Sequence, residues 1–288
     1  MSSTNSNTNT TKVAVVKVGG DVLLGEDERA GIAANVKDLV DNGWRVVVLH
    51  GGGPQTNALQ EKHGLVANKV GGRRITSEAD LVVVKQAICG EVNVNLTQLL
   101  QGVGVNAFGC HGASGGLVSA VKRPPSVVSG GGPDPVDFGQ VGDVVAINDK
   151  LLTGLLDLGV VPVIATLGME VTDEHTGEAK VYNINADTTV VQIAKALKAD
   201  LLLLTTAVGA IYRDLSVPES RISAVNVQQA NDLIAEGVIQ GGMIPKVEEA
   251  ISVLKDGVKN IAIVGPQIKG AFIAVASGEG SQGTVISL

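Results

Sequence analysis

The chain has 288 residues, of which 44% are hydrophobic and only 2% aromatic, and it carries a formal net charge of -7. That length holds one large domain or two lobes, and so few rings on so acidic a chain exclude a nucleic-acid binder that stacks on bases and neutralises phosphates. Two cysteines, Cys89 and Cys110, make no disulfide framework, and no apolar run approaches the roughly 18 residues of a membrane span, so a cytoplasmic protein with no membrane partner is expected.

From the N-terminus, residues 1–11 are polar and read as a disordered tail that is no secretory leader. VAVVKV (13–18) is a short apolar run ending at Gly19-Gly20, the pattern of a buried strand. Ile32, Val36, Leu39 and Val40 then repeat at helical spacing within 26–41. RVVVLH (45–50) is a second buried strand, closed by Gly51-Gly52-Gly53, and Pro54 opens a helix over 54–63. Residues 77–100 are helix-like, with a break expected at Gly90. Strands over 117–122 and 140–148 flank a Pro/Gly-rich stretch and read as a β-rich excursion on the edge of the main sheet. A helix over 149–158, a strand over 160–166, a turn at 173–177, a helix over 186–197 and a strand over 200–205 follow. Helices over 227–237 and 244–256 and a strand over 261–265 complete the pattern. This alternation predicts an α/β fold with a mostly parallel sheet covered on both faces, whose ligands bind beyond the carboxyl ends of the strands.

Both glycine clusters follow strands and lead into helices. Either alone is an ordinary tight turn; two together favour anion binding by exposed backbone N–H groups. They are not a Walker loop, because Glu26-Asp27 stand where Lys-Ser/Thr is required, and Thr56 replaces the third glycine of a dinucleotide fingerprint. Gly112-Ala113-Ser114-Gly115-Gly116 spells a hydrolase nucleophile elbow, but a strand rather than a helix is predicted after it. Lys17 interrupts an apolar strand at its ligand end, where lysine is seldom buried without a partner. In VYNINADTT, Asn183, Asn185 and Asp187 alternate, so an extended backbone points all three one way; helix capping accounts for one of them. A carboxylate here can orient two lysines and offset their repulsion. Arg73-Arg74 are either a solvated pair or a planar grip on a carboxylate. Lys246 stands at a predicted helix start, where the helix's partial positive charge disfavours a cation by about 0.3–1 kcal/mol. The histidines lack metal-ligand spacing, so no protein metal cage is expected.

Taken in order, Lys17-Val18-Gly19-Gly20, His50-Gly51-Gly52-Gly53, Gly72-Arg73-Arg74-Ile75-Thr76, Asn183-Ile184-Asn185-Ala186-Asp187 and Gly241-Gly242-Met243-Ile244-Pro245-Lys246 resemble the amino acid kinase family from about residue 12 onward. The resemblance implies a three-layer αβα sandwich with two lobes, 12–198 binding an acyl amino acid and forming a homodimer, 199–288 binding ATP. It implies phosphorylation of the γ-carboxylate of N-acetyl-L-glutamate on the arginine route. Lys17 and Lys246 match the transition-state lysines and Asp187 the carboxylate that organises them. Gly19, Gly20 and Gly52 match phosphate-binding positions; Gly52, Gly53, Arg74, Asn183 and Asn185 match substrate contacts. Thr205, Thr206, Gly209, Ile211, Val238, Gln240 and Met243 fall on nucleotide-binding positions. Mg²⁺ would travel with ATP, held by phosphates and water.

Two departures stand out: Thr205-Thr206-Ala207 where the family usually has Thr-Asp-Val, and Ser114 where aspartate is common. The polar N-terminus and the C-terminal GAFIAVASGEGSQGT differ from the arginine-inhibited members, which implies a dimer insensitive to arginine. Alternatives are a sister kinase acting on a carrier-bound aminoadipate or glutamate, for whose acidic carrier the scattered lysines give no sign of a basic rim, and a non-catalytic amino-acid sensor.

Overall fold

A computed structural model describes residues 12–128, 131–172, 179–240, 243–255, 257–278 and 282–288. The polar tail, the turn at 173–177, His175 and Gly241-Gly242 lie outside the described residues. The first half runs β1 (Val13–Val18), α1 (Glu26–Asp41), β2 (Arg45–His50), α2 (Gly53–Lys62), β3 (Lys69–Val70), β4 (Arg73–Arg74), α3 (Glu78–Val84), α4 (Asn93–Gly102), β5 (Ala107–His111), β6 (Val118–Lys122) and β7 (Gly142–Ile147). Then come α5 (Asp149–Asp157), β8 (Val161–Ala165), β9 (Leu167–Glu170), β10 (Val181–Asn183), α6 (Ala186–Ala196), β11 (Leu201–Thr205), β12 (Ile211–Tyr212) and β13 (Arg221–Ile222). The chain closes with β14 (Ala224–Asn226), α7 (Val227–Ala235), α8 (Met243–Lys255), β15 (Asn260–Val264), α9 (Ala271–Ala276) and β16 (Gly283–Ser287).

Eight strands form the main sheet in the order β14-β16-β15-β11-β1-β2-β8-β5. From β15 to β5 every neighbour is parallel; β16 runs antiparallel to β15 and β14 parallel to β16, so these two strands run opposite to the other six. The strands read as continuous apolar runs because both faces are covered. Within β1 the two-residue period divides the side chains. Val13 and Val15 pack with Leu152, Val190, Ile193, Val247 and Leu254 from α5, α6 and α8. Ala14, Val16 and Val18 pack with Ile32, Val36 and Leu39 of α1, Leu96 of α4 and Phe272 of α9. The result is the expected three-layer αβα sandwich. It also settles where Lys17 goes: the alternation sends it to the α6/α8 face.

Two expectations are corrected. The β-rich excursion does not extend the main sheet. It forms a separate four-stranded sheet, β10-β9-β6-β7, because β6 pairs antiparallel with β7 and parallel with β9 rather than with β5. Nor does the helix over 77–100 break at Gly90. It passes from α3 through a π-helical stretch, Lys85–Val92, into α4. Such wider turns gather at functional sites, and this one sets Ile88 and Val92 against Gly52: a Cβ built on Gly52 would lie 3.1 Å from Ile88 Cγ1 and 3.4 Å from Val92 Cγ2. At the start of α3, Ser77 Oγ accepts from Asp80 N (3.1 Å) while Asp80 Oδ2 accepts from Ser77 N (2.9 Å), a reciprocal cap that also aims Asp80 inward.

β1 and β11 are adjacent, so residues on either side of position 198 share one sheet. The two ends of the chain are also tied by buried Asn35 of α1. Its Nδ2 donates to Pro266 O and Ile268 O, both at 2.9 Å, and its Oδ1 accepts from Phe272 N at 3.2 Å. Asn35→Ala strands these backbone groups, and since one unsatisfied buried group costs about 1–3 kcal/mol, we expect a loss of about 2–4 kcal/mol. Urea unfolding at pH 7 measures it; an unchanged midpoint would show that water replaces the amide.

Candidate active site

The carboxyl ends of β1, β2, β8 and β11 open onto one edge of the main sheet. At that edge a Cβ on Gly20 would lie 2.9 Å from both Gly52 Cα and Gly53 N. The two glycine clusters therefore touch backbone to backbone, which a side chain at Gly20 would forbid. Gln55 Nε2, one turn into α2, donates to Gly20 O at 2.8 Å and fixes the pair. Gly19 stands at the end of the same strand.

Lys17, 6% exposed, reaches Asp187 on the first turn of α6: Nζ to Oδ1 is 2.7 Å. That ammonium is the ionic partner of the buried oxygen. Burial opposes the Asp187 charge, but the ammonium groups of Lys17 and then Lys246 outweigh it, and its pKa falls below the ordinary carboxylate value. The stability this contributes is complete above the ordinary pKa and is lost as pH falls through the lowered one. Lys246 comes from the start of α8, which packs on α6. The three candidate catalytic residues thus converge, from positions 17, 187 and 246.

The alternation reading of 183–187 needs revision. The strand ends at Asn183; Asn185 Oδ1 caps α6, accepting from Asp187 N (2.7 Å) and Thr188 N (3.1 Å). Helix rotation, not an extended backbone, brings Asp187 to Lys17.

Beside the glycines lies a cavity of about 240 Å³ lined by Gly51, Gly52, Gly53, Arg74, Asn183 and Asn185, the predicted substrate contacts among them. Arg74 is held there: Nη1 donates to Gln60 Oε1, Nη2 to Asn57 Oδ1 and to Gly53 O. Gln60 Nε2 in turn donates to Asp80 Oδ1 at 2.5 Å. Burial lowers the Arg74 pKa and Asp80 pulls it back. Asn183 Nδ2 donates to Thr76 Oγ1 at 3.1 Å. Lys69, Arg73 and Arg123 also line this cavity. No local pattern marks such a basic rim, because Arg123 follows β6 of the separate sheet, far along the chain from 69–74.

A larger cavity, about 720 Å³, is lined by Ile211, Val238, Gln240 and Met243, four of the seven positions predicted to contact a nucleotide, and by Tyr212, Arg213 and Leu215, which were not predicted; Gly209 does not line it. Adjacency to Ile211 was their one sequence signal. Thr205 and Thr206 do not line it. Both are buried, with hydroxyls already engaged: Thr205 Oγ1 donates to Lys17 O at 2.9 Å, and Thr206 Oγ1 accepts from Gly209 N at 2.9 Å. Thr206 thus fills the turn-closing role open to an aspartate, without its charge, and Thr205 anchors the strand end that carries Lys17.

Other candidates recede. Ser114 Oγ accepts from His111 N at 3.2 Å and sits 3.3 Å from His111 Nδ1, but β6 follows it, and no carboxylate is hydrogen-bonded to His111 among the described residues. Burial pushes the Cys89 and Cys110 thiols up, to about 11 and about 12, so neither is a nucleophile at neutral pH. Among the described residues no three His, Cys, Asp or Glu side chains are grouped to hold a metal ion.

The family model described as "Amino acid kinase family" matches residues 12–265. The chain belongs to the amino acid kinase family. It is 44% identical over 275 residues to the acetylglutamate kinase of Anaeromyxobacter dehalogenans, covering 96% of this chain and 99% of that one. Against the acetylglutamate kinase of Sorangium cellulosum it is 40% identical over 279 residues, 97% and 96% of the two chains. Carbamate kinase from Giardia lamblia bound to AMP-PNP shares the fold at 18% identity, with a TM-score of 0.69 over 96% of this chain and 99% of that one. No helix among the described residues is long and apolar enough to cross a membrane.

His50, at the end of β2, is buried and neutral. Asn93 Nδ2 donates to its Nε2 (2.9 Å), so its Nδ1–H donates to Gly51 O (2.9 Å). Burial lowers its pKa from 6.5 to about 4, the Gly51 carbonyl resisting. The unfolded chain binds the proton first, so acidification destabilises: the folded state loses up to about 3 kcal/mol as pH falls from 6.5 to about 4. Urea unfolding at pH 7 and pH 4.5 should show a smaller loss in His50→Gln than in the native chain; equal losses would remove His50 as the cause.

Proposed function

We propose that this protein transfers the γ-phosphoryl group of ATP to the γ-carboxylate of N-acetyl-L-glutamate, giving an acyl phosphate and ADP, the phosphorylation step of arginine biosynthesis. The observation that carries this reading is the convergence of the Lys17 and Lys246 charges on Asp187, whose neighbours Asn185 and Ala186 line the cavity rich in cations, while Met243 of the same helix as Lys246 lines the cavity of about 720 Å³. The relatives named acetylglutamate kinase supply the substrate.

In this reading the ionised carboxylate is already the nucleophile. Its oxygen forms a bond to Pγ as the bond from Pγ to the bridging oxygen breaks and ADP leaves with that electron pair, so no proton need move. Catalysis is alignment plus stabilisation of negative charge. Arg74 and Asn183 grip the α-carboxylate end, Gly52 and Gly53 hold the reacting carboxylate, and the backbone N–H groups of Gly19, Gly20 and Gly52 face the phosphates. Lys17 and Lys246 neutralise the migrating group, and Asp187 keeps both in place. The repulsion between Lys246 and its helix N-terminus is relieved when polyphosphate faces both. Mg²⁺ travels on the nucleotide, coordinated by phosphate oxygens and water. Residues 12–198 bind the acyl amino acid and 199–288 the nucleotide.

We place the protein in the cytoplasm as a homodimer insensitive to arginine. Free Cys89 and Cys110 support the compartment. The open sheet edge at β5, where Phe108 is 48% exposed, supports pairing. Sizing in solution and an arginine titration test both; a hexamer inhibited by arginine contradicts them.

ATP consumption with N-acetylglutamate, glutamate, aspartate or carbamate, with acyl phosphate trapped by hydroxylamine, tests the reaction; no trapped product from N-acetylglutamate refutes it. Lys246→Ala should cut kcat by about 100-fold or more, the scale of one lost charge-stabilising contact, with the fold intact by circular dichroism. Arg74→Lys should raise KM for N-acetylglutamate about tenfold, since an ammonium cannot replace a planar fork; a rise in KM for ATP instead would put Arg74 in the wrong half of the site.

A further inference from the structure

Beyond the substrate cavity lies a second, polar one of about 300 Å³, lined by Arg73, Arg123, Ser126, Asp143, Asn185 and Thr188. Arg73, Arg123 and Asn185 line both cavities, so the second is the vestibule of the first. The two arginines arrive there differently. Arg123 follows β6 and is fixed: Nε and Nη2 donate to Asp143 Oδ1 at 2.8 and 2.6 Å, and its guanidinium lies 5.9 Å from the Phe138 ring. Arg73 sits on the β3–β4 hairpin, whose turn residues Gly71 and Gly72 both have positive φ, 55° and 77°, as a two-residue turn of that hand requires. On that short ribbon Arg73 pairs with Val70, and Arg74 pairs with Lys69.

The charge count decides what this arrangement suits. Four cations, Lys69, Arg73, Arg74 and Arg123, line the inner cavity, with no carboxylate among its described lining residues. Arg74 is offset by Asp80 through Gln60, and Arg123 by Asp143. Lys69 and Arg73 have no ionic or hydrogen-bonding partner among the described residues. Two uncompensated positive charges remain, matching the two carboxylates of a small dianion. The rest of the protein works the other way: its net charge of -7 repels such a substrate at long range. Salt screens that repulsion beyond about 8 Å, so capture falls to the charges at the mouth.

We propose that Arg73 is a specificity-determining residue: it draws the dianionic substrate through the vestibule and selects two carboxylates over one, while Arg74 performs the final grip. This rests on the reaction proposed above. Because its charge acts before the transition state and equally within it, Arg73 contributes to KM and not to kcat.

The test compares the native chain, Arg73→Gln and Arg73→Lys in the full-length protein, measuring kcat/KM for N-acetylglutamate from 20 to about 300 mM salt, over which screening lengths shrink severalfold. Arg73→Gln should raise KM for N-acetylglutamate about five- to tenfold, keep kcat within about twofold and flatten the salt dependence; Arg73→Lys should restore most of both; KM for ATP should not move. Unchanged KM and salt slope in Arg73→Gln overturn the proposal, as does failure of lysine to rescue. A native chain that makes no acyl phosphate fails the reaction itself, a result distinguishable from either.

Discussion

One carboxylate between two ammonium groups organises this molecule. Lys17 is taken almost wholly out of water at the end of the central strand. An isolated cation there is prohibitive, and the same burial opposes ionisation of Asp187. Each ion is tolerated because of the other, and Lys246 adds a second positive neighbour that deepens the Asp187 well. The triad is one negative charge short of neutrality. In the proposed reaction a phosphoryl group in flight would supply that charge, so the arrangement would match a reacting complex better than the free protein, which is the condition for catalysis by differential binding.

The fold delivers this triad by simple periodicities. Two-residue alternation in β1 sends Lys17 to the face where α6 and α8 pack. Capping by Asn185 sets the rotation of α6 that turns Asp187 towards that strand. The Thr205 hydroxyl, bonded to Lys17 O, locks the neighbouring strand at the same level. Parallel pairing of β1, β2 and β11 aligns all their carboxyl ends, so residues from four distant stretches meet without any long loop.

What the sequence made legible follows the same logic. Strands buried on both faces announce themselves as apolar runs, and Lys17 was conspicuous because it broke one. The glycine clusters, Asp187 and Lys246 stood beside recognisable element boundaries. The separate sheet was not legible: β9 and β10 have four and three residues, too short for a period to show. Nor was the continuity of the helix through Gly90, since a π-helical turn keeps the composition of an α-helix and changes only its register. Thr205 and Thr206 were assigned to nucleotide contact by position, whereas their hydroxyls close backbone bonds, a distinction that only coordinates draw. Tertiary convergence hid the rim, because no local pattern links Arg123 to the 69–74 hairpin.

That hidden convergence has a structural source. Lys17 and the anchoring threonine belong to the main sheet and the glycine clusters follow its strands, while Arg123 follows β6 and Asn183 ends β10, both strands of the small sheet. Beside the cavity Asn183 N donates to Gln140 O (3.0 Å) and Gln140 N to Thr76 O (2.7 Å), tying the small sheet to the loop before α3. The proposed acceptor contacts therefore come from three places, the glycine turn after β2, the β3–β4 hairpin and the small sheet, whereas Lys17 and Thr205 come from the main sheet alone. On the proposed reaction, a change in β6, β7 or β10 would reach the acceptor cavity through Arg123 and Asn183 while leaving the Lys17–Asp187 pair in place.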